Sequence, residues 1–243
     1  GYALETVDLT TRPAHRVNSI AFDSSREGWI ATGSGVRWTS APEGLSPARR
    51  SQLSGSPGVL AADRTGTIWV GTEDGSLLAV RRDGVQETGS SGISRPLLHL
   101  TALRDSSVVV RTVDGFRKFE ERGSTWVAEA LPGVGEGSWF QMAEDPRGRL
   151  WASWSSGPDA HLGILEGRRW QTVTRTGDQP WGAVLAFATT PDGGFLGCTE
   201  AGYVLDLTQG PAGIRAHAIL ADEPLTAMAV DSASNWWLGT ARM

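Results

Sequence analysis

The stretch Asp63-Arg-Thr-Gly-Thr-Ile-Trp-Val-Gly-Thr72 decides the fold, because versions of it recur along the whole chain. Asp23 stands six residues before Trp29, Asp145 six before Trp151, and Asp231 six before Trp237. Two degenerate copies, Val109-Val-Arg-Thr112 and Leu196-Gly-Cys-Thr199, complete the series. The position of Thr72 recurs at 32, 72, 112, 154, 199 and 240, with Trp154 in place of threonine in the fourth copy. The intervals of 40, 40, 42, 45 and 41 residues mark a repeat architecture, in which one supersecondary unit is stacked many times.

Working outward from this stretch, each copy reads as β-strands. An alternating run comes first, as in Val17-Asn-Ser-Ile-Ala-Phe22, Val59-Leu-Ala-Ala62 and Leu225-Thr-Ala-Met-Ala-Val230. Asp-x-x-Gly then makes a tight turn, with the carboxylate bonding nearby amides and glycine tolerating positive φ. The tryptophan strand follows, then a glycine turn and a third strand such as Ser76-Leu-Leu-Ala-Val-Arg81. A weaker fourth strand closes several copies, as in Trp126-Val-Ala-Glu-Ala130 and Trp170-Gln-Thr-Val-Thr174. No segment sustains a helical period. Four antiparallel strands in about 40 residues is the arithmetic of a propeller blade. The expectation is an all-β chain forming one β-propeller domain over residues 1–243. Six blades have core strands near 17–40, 58–82, 97–119, 139–166, 184–207 and 225–240. The run 1–9 has no inner partners, and Gly1-Tyr-Ala-Leu4 resembles Gly202-Tyr-Val-Leu205, so it is expected to complete the last blade and close the ring.

Composition narrows the function classes. The 243 residues are 40% hydrophobic and 20% charged, which suits a packed core. A net charge of −5 argues against a nucleic-acid surface built on charge. No run approaches the ~20 apolar residues of a membrane helix. The single Cys198 excludes a disulfide framework and a multi-cysteine metal site, and is expected to be buried and inert. The chain opens on Gly1 without a signal-like leader and reads as a processed or excised piece.

The pattern Pro … apolar-x-x-Ile-x-x-Asp-x-x-Gly-x-Ile-Trp-Val-Gly-Thr-x-x-Gly-x-Leu resembles the two-component regulator propeller repeat. Residues 57–80 match it best, 13–38 and 224–240 match well, and 139–154 match in part. The resemblance implies a bacterial propeller that senses a ligand or binds a partner, commonly the extracytoplasmic half of a hybrid sensor kinase. It implies a periplasmic location in that setting and a cytoplasmic one otherwise. The further propeller, sandwich and kinase of such sensors are not in these residues. The streptogramin lyase propellers are similar in repeat and include enzymes.

The repeated Trp29, Trp69, Trp151 and Trp237 occupy one register and are expected to pack blade against blade, each burying on the order of 200 Å². Asp23, Asp63, Asp145 and Asp231 recur with the turn and read as turn residues, not as four catalytic acids. Function should lie in what does not repeat. Trp139 and Trp181 precede inner strands, and Trp154 opens the longest loop between second and third strands, Ser155-Ser-Gly-Pro-Asp-Ala-His161. These three tryptophans, with Asp159, His161, Asp178 and His15, form the candidate ligand or partner site on the channel face. The histidines His15, His99, His161 and His217 show no zinc-site spacing, so no metal and no cofactor is expected. A lyase or hydrolase would need His15 or His99 beside a carboxylate at the channel mouth. The primary expectation is a non-catalytic module that binds a small ligand or a protein. A propeller enzyme, and a scaffold domain of a larger signalling or defence protein, are the alternatives.

Overall fold

The computed structural model describes residues 17–22, 28–33, 35–38, 55–81, 84–87, 96–113, 115–122, 125–133, 138–156, 159–173, 181–220 and 223–240. The chain divides into two compact units, Gly1–Ala130 and Leu131–Met243. The first holds β1 (Val17–Phe22), β2 (Gly28–Thr32) and β3 (Gly35–Trp38) as a three-stranded sheet. It continues with β4 (Pro57–Ala62), β5 (Ile68–Thr72), β6 (Leu77–Arg81) and β7 (Gly84–Glu87), then β8 (His99–Ala102), β9 (Val108–Thr112), β10 (Gly115–Arg122) and β11 (Thr125–Ala130), as two four-stranded sheets. The second unit holds β12 (Ser138–Glu144), β13 (Leu150–Ser156), β14 (Asp159–Glu166) and β15 (Arg169–Val173). Next come β16 (Val184–Thr189), β17 (Phe195–Thr199), β18 (Tyr203–Asp206) and β19 (Arg215–Ala218), and lastly the hairpin of β20 (Leu225–Val230) and β21 (Trp236–Thr240). The only helix among the described residues is one 3-10 turn, Pro211–Gly213, and none is long and apolar enough to cross a membrane.

Every sheet is an antiparallel meander in chain order, as the repeat requires. The blade count differs from the expected six. Among the described residues, five sheets have three or four strands and are blades, whereas the last copy shows the two-stranded hairpin β20–β21. The outer strand expected for it, residues 1–9, lies outside the described residues, as does the ring closure that rested on it.

The local reasons for these strands are visible in the turns. The amide of the first turn residue bonds the carbonyl four residues on at Asp63, Leu103, Asp145, Thr190 and Asp231. The fourth residue takes positive φ each time: Gly66 86°, Ser106 63°, Gly148 80°, Gly193 86° and Ser234 64°. Inner strands β1, β4, β12, β16 and β20 share a register shift, after the first pair in four of them and after the second in β12. A bulge there adds twist to the strand. Opposite it in the second blade stands Gly71, where a Cβ would lie 2.7 Å from Val59 Cγ2 and 2.9 Å from Leu97 Cβ. Glycine is required at that close approach.

The second strands β5 and β17 are sandwiched by sheets on both faces and are buried at all five positions. In the first unit Trp29 packs with Leu60, Val70 and Val80 of the next sheet, and Trp69 packs with Leu100, Val108 and Phe119 of the sheet after. In the second, Trp151 packs with Val184, Phe195 and Leu205. The tryptophan spacing is therefore blade packing in these three copies. The aspartate six residues earlier has a role beyond the turn. Asp63 accepts from Trp69 Nε1 at 3.3 Å, Asp145 from Trp151 at 2.9 Å and Asp231 from Trp237 at 3.1 Å. Asp23 lies outside the described residues.

Candidate functional site

The site begins with β13. Trp154 takes the register at which Thr72 bonds the Ser76 carbonyl and thereby closes its own hairpin. A tryptophan cannot make that bond, and the hairpin is longer: β13 runs on to Ser156 and β14 starts at Asp159. The stretch read as a long loop over 155–161 is thus mostly strand, because Ser155 pairs with Ala160 and Ser156 with Asp159.

Register then aligns aromatic residues across the sheet. Trp139 is directly opposite Trp154, and Trp154 directly opposite His161. Side chains of paired residues share a face, so this row lies opposite the face that carries Trp151. Trp139 and Trp154 are 5.5 Å apart, and His161 stacks on Trp154 at 5.4 Å and 17°. Trp170 on β15 joins them at 5.6 Å from Trp139 and 6.1 Å from Trp154, its Nε1 donating to the Pro132 carbonyl at 2.7 Å. Trp154 itself is buried, and the other three rings are half-buried.

Space for the Trp154 indole comes from Gly163, where a Cβ would lie 2.7 Å from Trp154 Cη2 and 3.0 Å from the Gln171 carbonyl. Gly163→Ala is expected to push the indole off its seat at a cost of about 1–3 kcal/mol. Thermal melts and the near-ultraviolet circular dichroism of the cluster check this. A stable variant with an unchanged aromatic signal would refute the packing.

The cluster is a packed wall, not an open cage. Inserting a further ring between two others needs roughly 7 Å between them, twice a van der Waals contact. A ligand would therefore meet the rim formed by Trp139, Trp170 and His161.

Of the other expected site residues, Trp181 does not join this wall. It is buried with Trp151, Val184 and Phe195 as a lid on the core between sheets. Asp159 is exposed at the start of β14. Asp178 and His15 lie outside the described residues. Trp170 was missed because it reads as part of an outer strand. The signal for it was the tight turn at Gly167, which sets Leu165 opposite Trp170 and so puts Trp170 on the His161 face.

Other chemistry is sparse among the described residues. They hold no group of three His, Cys, Asp or Glu residues suited to a metal ion. His99 Nε2 lies 3.0 Å from Thr101 Oγ1, and the His217 ring meets the edge of Trp236. Cys198 is buried, its Sγ donating to the Leu225 carbonyl, and burial pushes its thiol up to about 11. A thiol held there is protonated at neutral pH and is no nucleophile. The first unit also holds a polar cavity of about 600 Å³, lined by Asp63, Arg81, Asp105, Glu121 and Trp126 among others. Its acids are engaged within the protein: Asp63 by Trp69 and Thr65, Asp105 by Lys118, Glu121 by Arg81.

No protein-family profile matches the sequence, and no curated protein does. Solved structures do match. Virginiamycin B lyase from Staphylococcus aureus, in a catalytically inactive form with quinupristin, superimposes with a TM-score of 0.68 at 13% identity over 94% of this chain and 78% of that one. YCF48 bound to a D1 peptide gives 0.64 at 17% identity over 93% and 76%. The extracellular domain of the BT4673 one-component system of B. thetaiotaomicron gives 0.66 at 11% identity over 93% of this chain and 31% of that one. The class these likenesses define is the β-propeller fold. Identities this low show the fold alone, and propellers of this kind serve as enzymes, peptide binders and sensor domains.

Proposed function

We propose that this chain is a non-catalytic propeller module of the two-component regulator type, which binds a small ligand or a protein partner through the aromatic wall of the β12–β15 sheet. The observation that carries the reading is that three tryptophans outside the register of the repeated tryptophan, Trp139, Trp154 and Trp170, gather with His161 on one sheet face. Half-buried aromatic rims offer large rigid contact area at small entropic cost, which is why such residues dominate binding sites. The repeat pattern of residues 57–80 supports the sensor assignment. The peptide-bound YCF48 and the BT4673 extracellular domain show that the fold serves binding and sensing elsewhere. In a sensor the module works outside the cytoplasm.

The test is titration of soluble peptides and oligosaccharides, followed by tryptophan fluorescence. A hit is expected to weaken about 30-fold in Trp139→Ala and in Trp170→Ala, the loss of one aromatic hot spot. Binding that both variants leave intact would move the site elsewhere. Turnover of a substrate by the purified chain would favour the lyase reading.

A further inference from the structure

The cavity of about 600 Å³ in the first unit is bounded by two successive sheets, β4–β7 and β8–β11. Its volume is in the range of pockets that enclose a small ligand. Equivalent turns of the two sheets line part of it, at Asp63 and at Asp105, and Arg81, Glu121 and Trp126 stand among the rest. Most of its charge is already matched. Asp63 accepts from the Thr65 and Thr67 amides, the Thr65 hydroxyl and the Trp69 indole. Asp105 pairs with Lys118 at 2.7 Å, and Glu120 with Arg122. A charged occupant would find no unpaired partner here, so the lining suits a neutral, polar one.

Two groups are held less well. Arg81 Nη2 stands 3.5 Å from Glu121 Oε2, at the outer limit of a hydrogen bond, and both side chains are exposed. Trp126 packs edge-on against Trp69 with ring centroids 4.8 Å apart, yet its Nε1 is buried with no hydrogen-bond partner among the described residues. Buried donors without a partner are rare in folded proteins, and each asks for an explanation. Glu121 and Trp126 are directly opposite each other in the β10–β11 pairing, so their side chains share a face. The cavity thus sets two donors, Arg81 and Trp126, beside one carboxylate.

That is the complement of a primary carboxamide, whose oxygen offers two lone pairs and whose NH₂ offers two donors. We propose that this cavity binds a primary carboxamide, with its oxygen accepting from Arg81 and Trp126 and its NH₂ donating to Glu121. The group enters the long Arg81–Glu121 pair and satisfies both partners better than they satisfy each other. The indole turns to bring Nε1 to it, since no hydrogen bond among the described residues holds the ring. The site is independent of the aromatic wall on β12–β15.

The probes are acetyl-Ala-Gln-Ala N-methylamide and its Glu and Lys counterparts, titrated into the full chain. The readout is the magnetic resonance signal of the Trp126 indole N–H, assigned by its loss in Trp126→Phe. The Gln peptide is expected to move this signal saturably, and the Glu and Lys peptides to bind at least about 10-fold more weakly. Glu121→Gln alters an exposed side chain and should weaken the Gln peptide about 10-fold, with a thermal melt confirming the fold. Trp139→Ala, in the wall, should leave this binding unchanged. Free glutamine that binds as tightly as the peptide would make the source a small amide, and weaker binding would make it a peptide, through the same contact. Equal binding of the three peptides would overturn the proposal. So would a signal that never saturates, binding that Glu121→Gln leaves intact, or a methyl glycoside that binds more tightly than the Gln peptide.

Discussion

Trp151→Ala is expected to lower the unfolding free energy by about 3–5 kcal/mol, the cost of emptying a large buried aromatic site. The indole is fully buried, packs against Phe195 with ring centroids 6.0 Å apart, and lies under the Arg149 guanidinium at 5.6 Å. Its neighbours come from two sheets, so neither can collapse into the space without giving up its own register. Trp237→Ala is the internal control. It should cost no more than about 1 kcal/mol, because the same side chain in the same register is exposed there. Denaturant melts of the two variants make the comparison. Equal losses would show that the cost comes from the strand itself and not from the packed neighbour sheet.

The second large effect is expected at Asp145. Its carboxylate accepts from the Arg147 and Arg149 amides at 2.9 Å each, from Arg149 Nε at 2.6 Å and from Trp151 Nε1 at 2.9 Å. Asp145→Ala leaves the turn amides open to water but strands a buried indole N–H, and should cost about 3 kcal/mol. Asp145→Asn should be nearly as harmful, because its NH₂ would have to face the indole or guanidinium donors. Burial pushes the Asp145 carboxyl up, but hydrogen bonds from Trp151, then Arg149 and Arg147, outweigh it and hold the group below its ordinary value of 3.8. The unfolded chain therefore takes up this proton first. The stabilisation is complete above that value and is lost as pH falls through the lower, folded one. Asp145→Asn should accordingly flatten the acid limb of a stability-against-pH curve below about pH 4, where the wild-type chain still loses stability. An unchanged acid limb would mean that other carboxyls carry it.

The aspartate and tryptophan positions are coupled in a way the sequence already displays. Copies with Asp63, Asp145 and Asp231 have the tryptophan six residues on. The copies in which the register holds Leu103 or Thr190 have Val109 or Leu196 instead, with the acid moved two residues along to Asp105 or Asp192. The joint loss is the signature of the indole-to-carboxylate bond. Reading the aspartates as turn residues captured only half of their chemistry. The candidate site was less legible. Trp139, Trp154 and His161 fall together because strand pairing is local and short hairpins carry it. Trp181, equally conspicuous in the chain, goes into the core between sheets.

The sequence by itself determined the repeat period, the strand alternation, the turns and the register of each tryptophan. All of these rest on forces acting within a few residues: backbone pairing, positive φ at the turn and an aspartate reaching its own tryptophan. Only the tertiary structure decided which tryptophans are buried and that Trp170 crosses to meet Trp139. Burial depends on whether another sheet lies against a face, and no residue's neighbours in the chain record that. Trp151 and Trp237 make the point, for they share a register, an opposing alanine and an aspartate partner, and differ only in what lies over the ring.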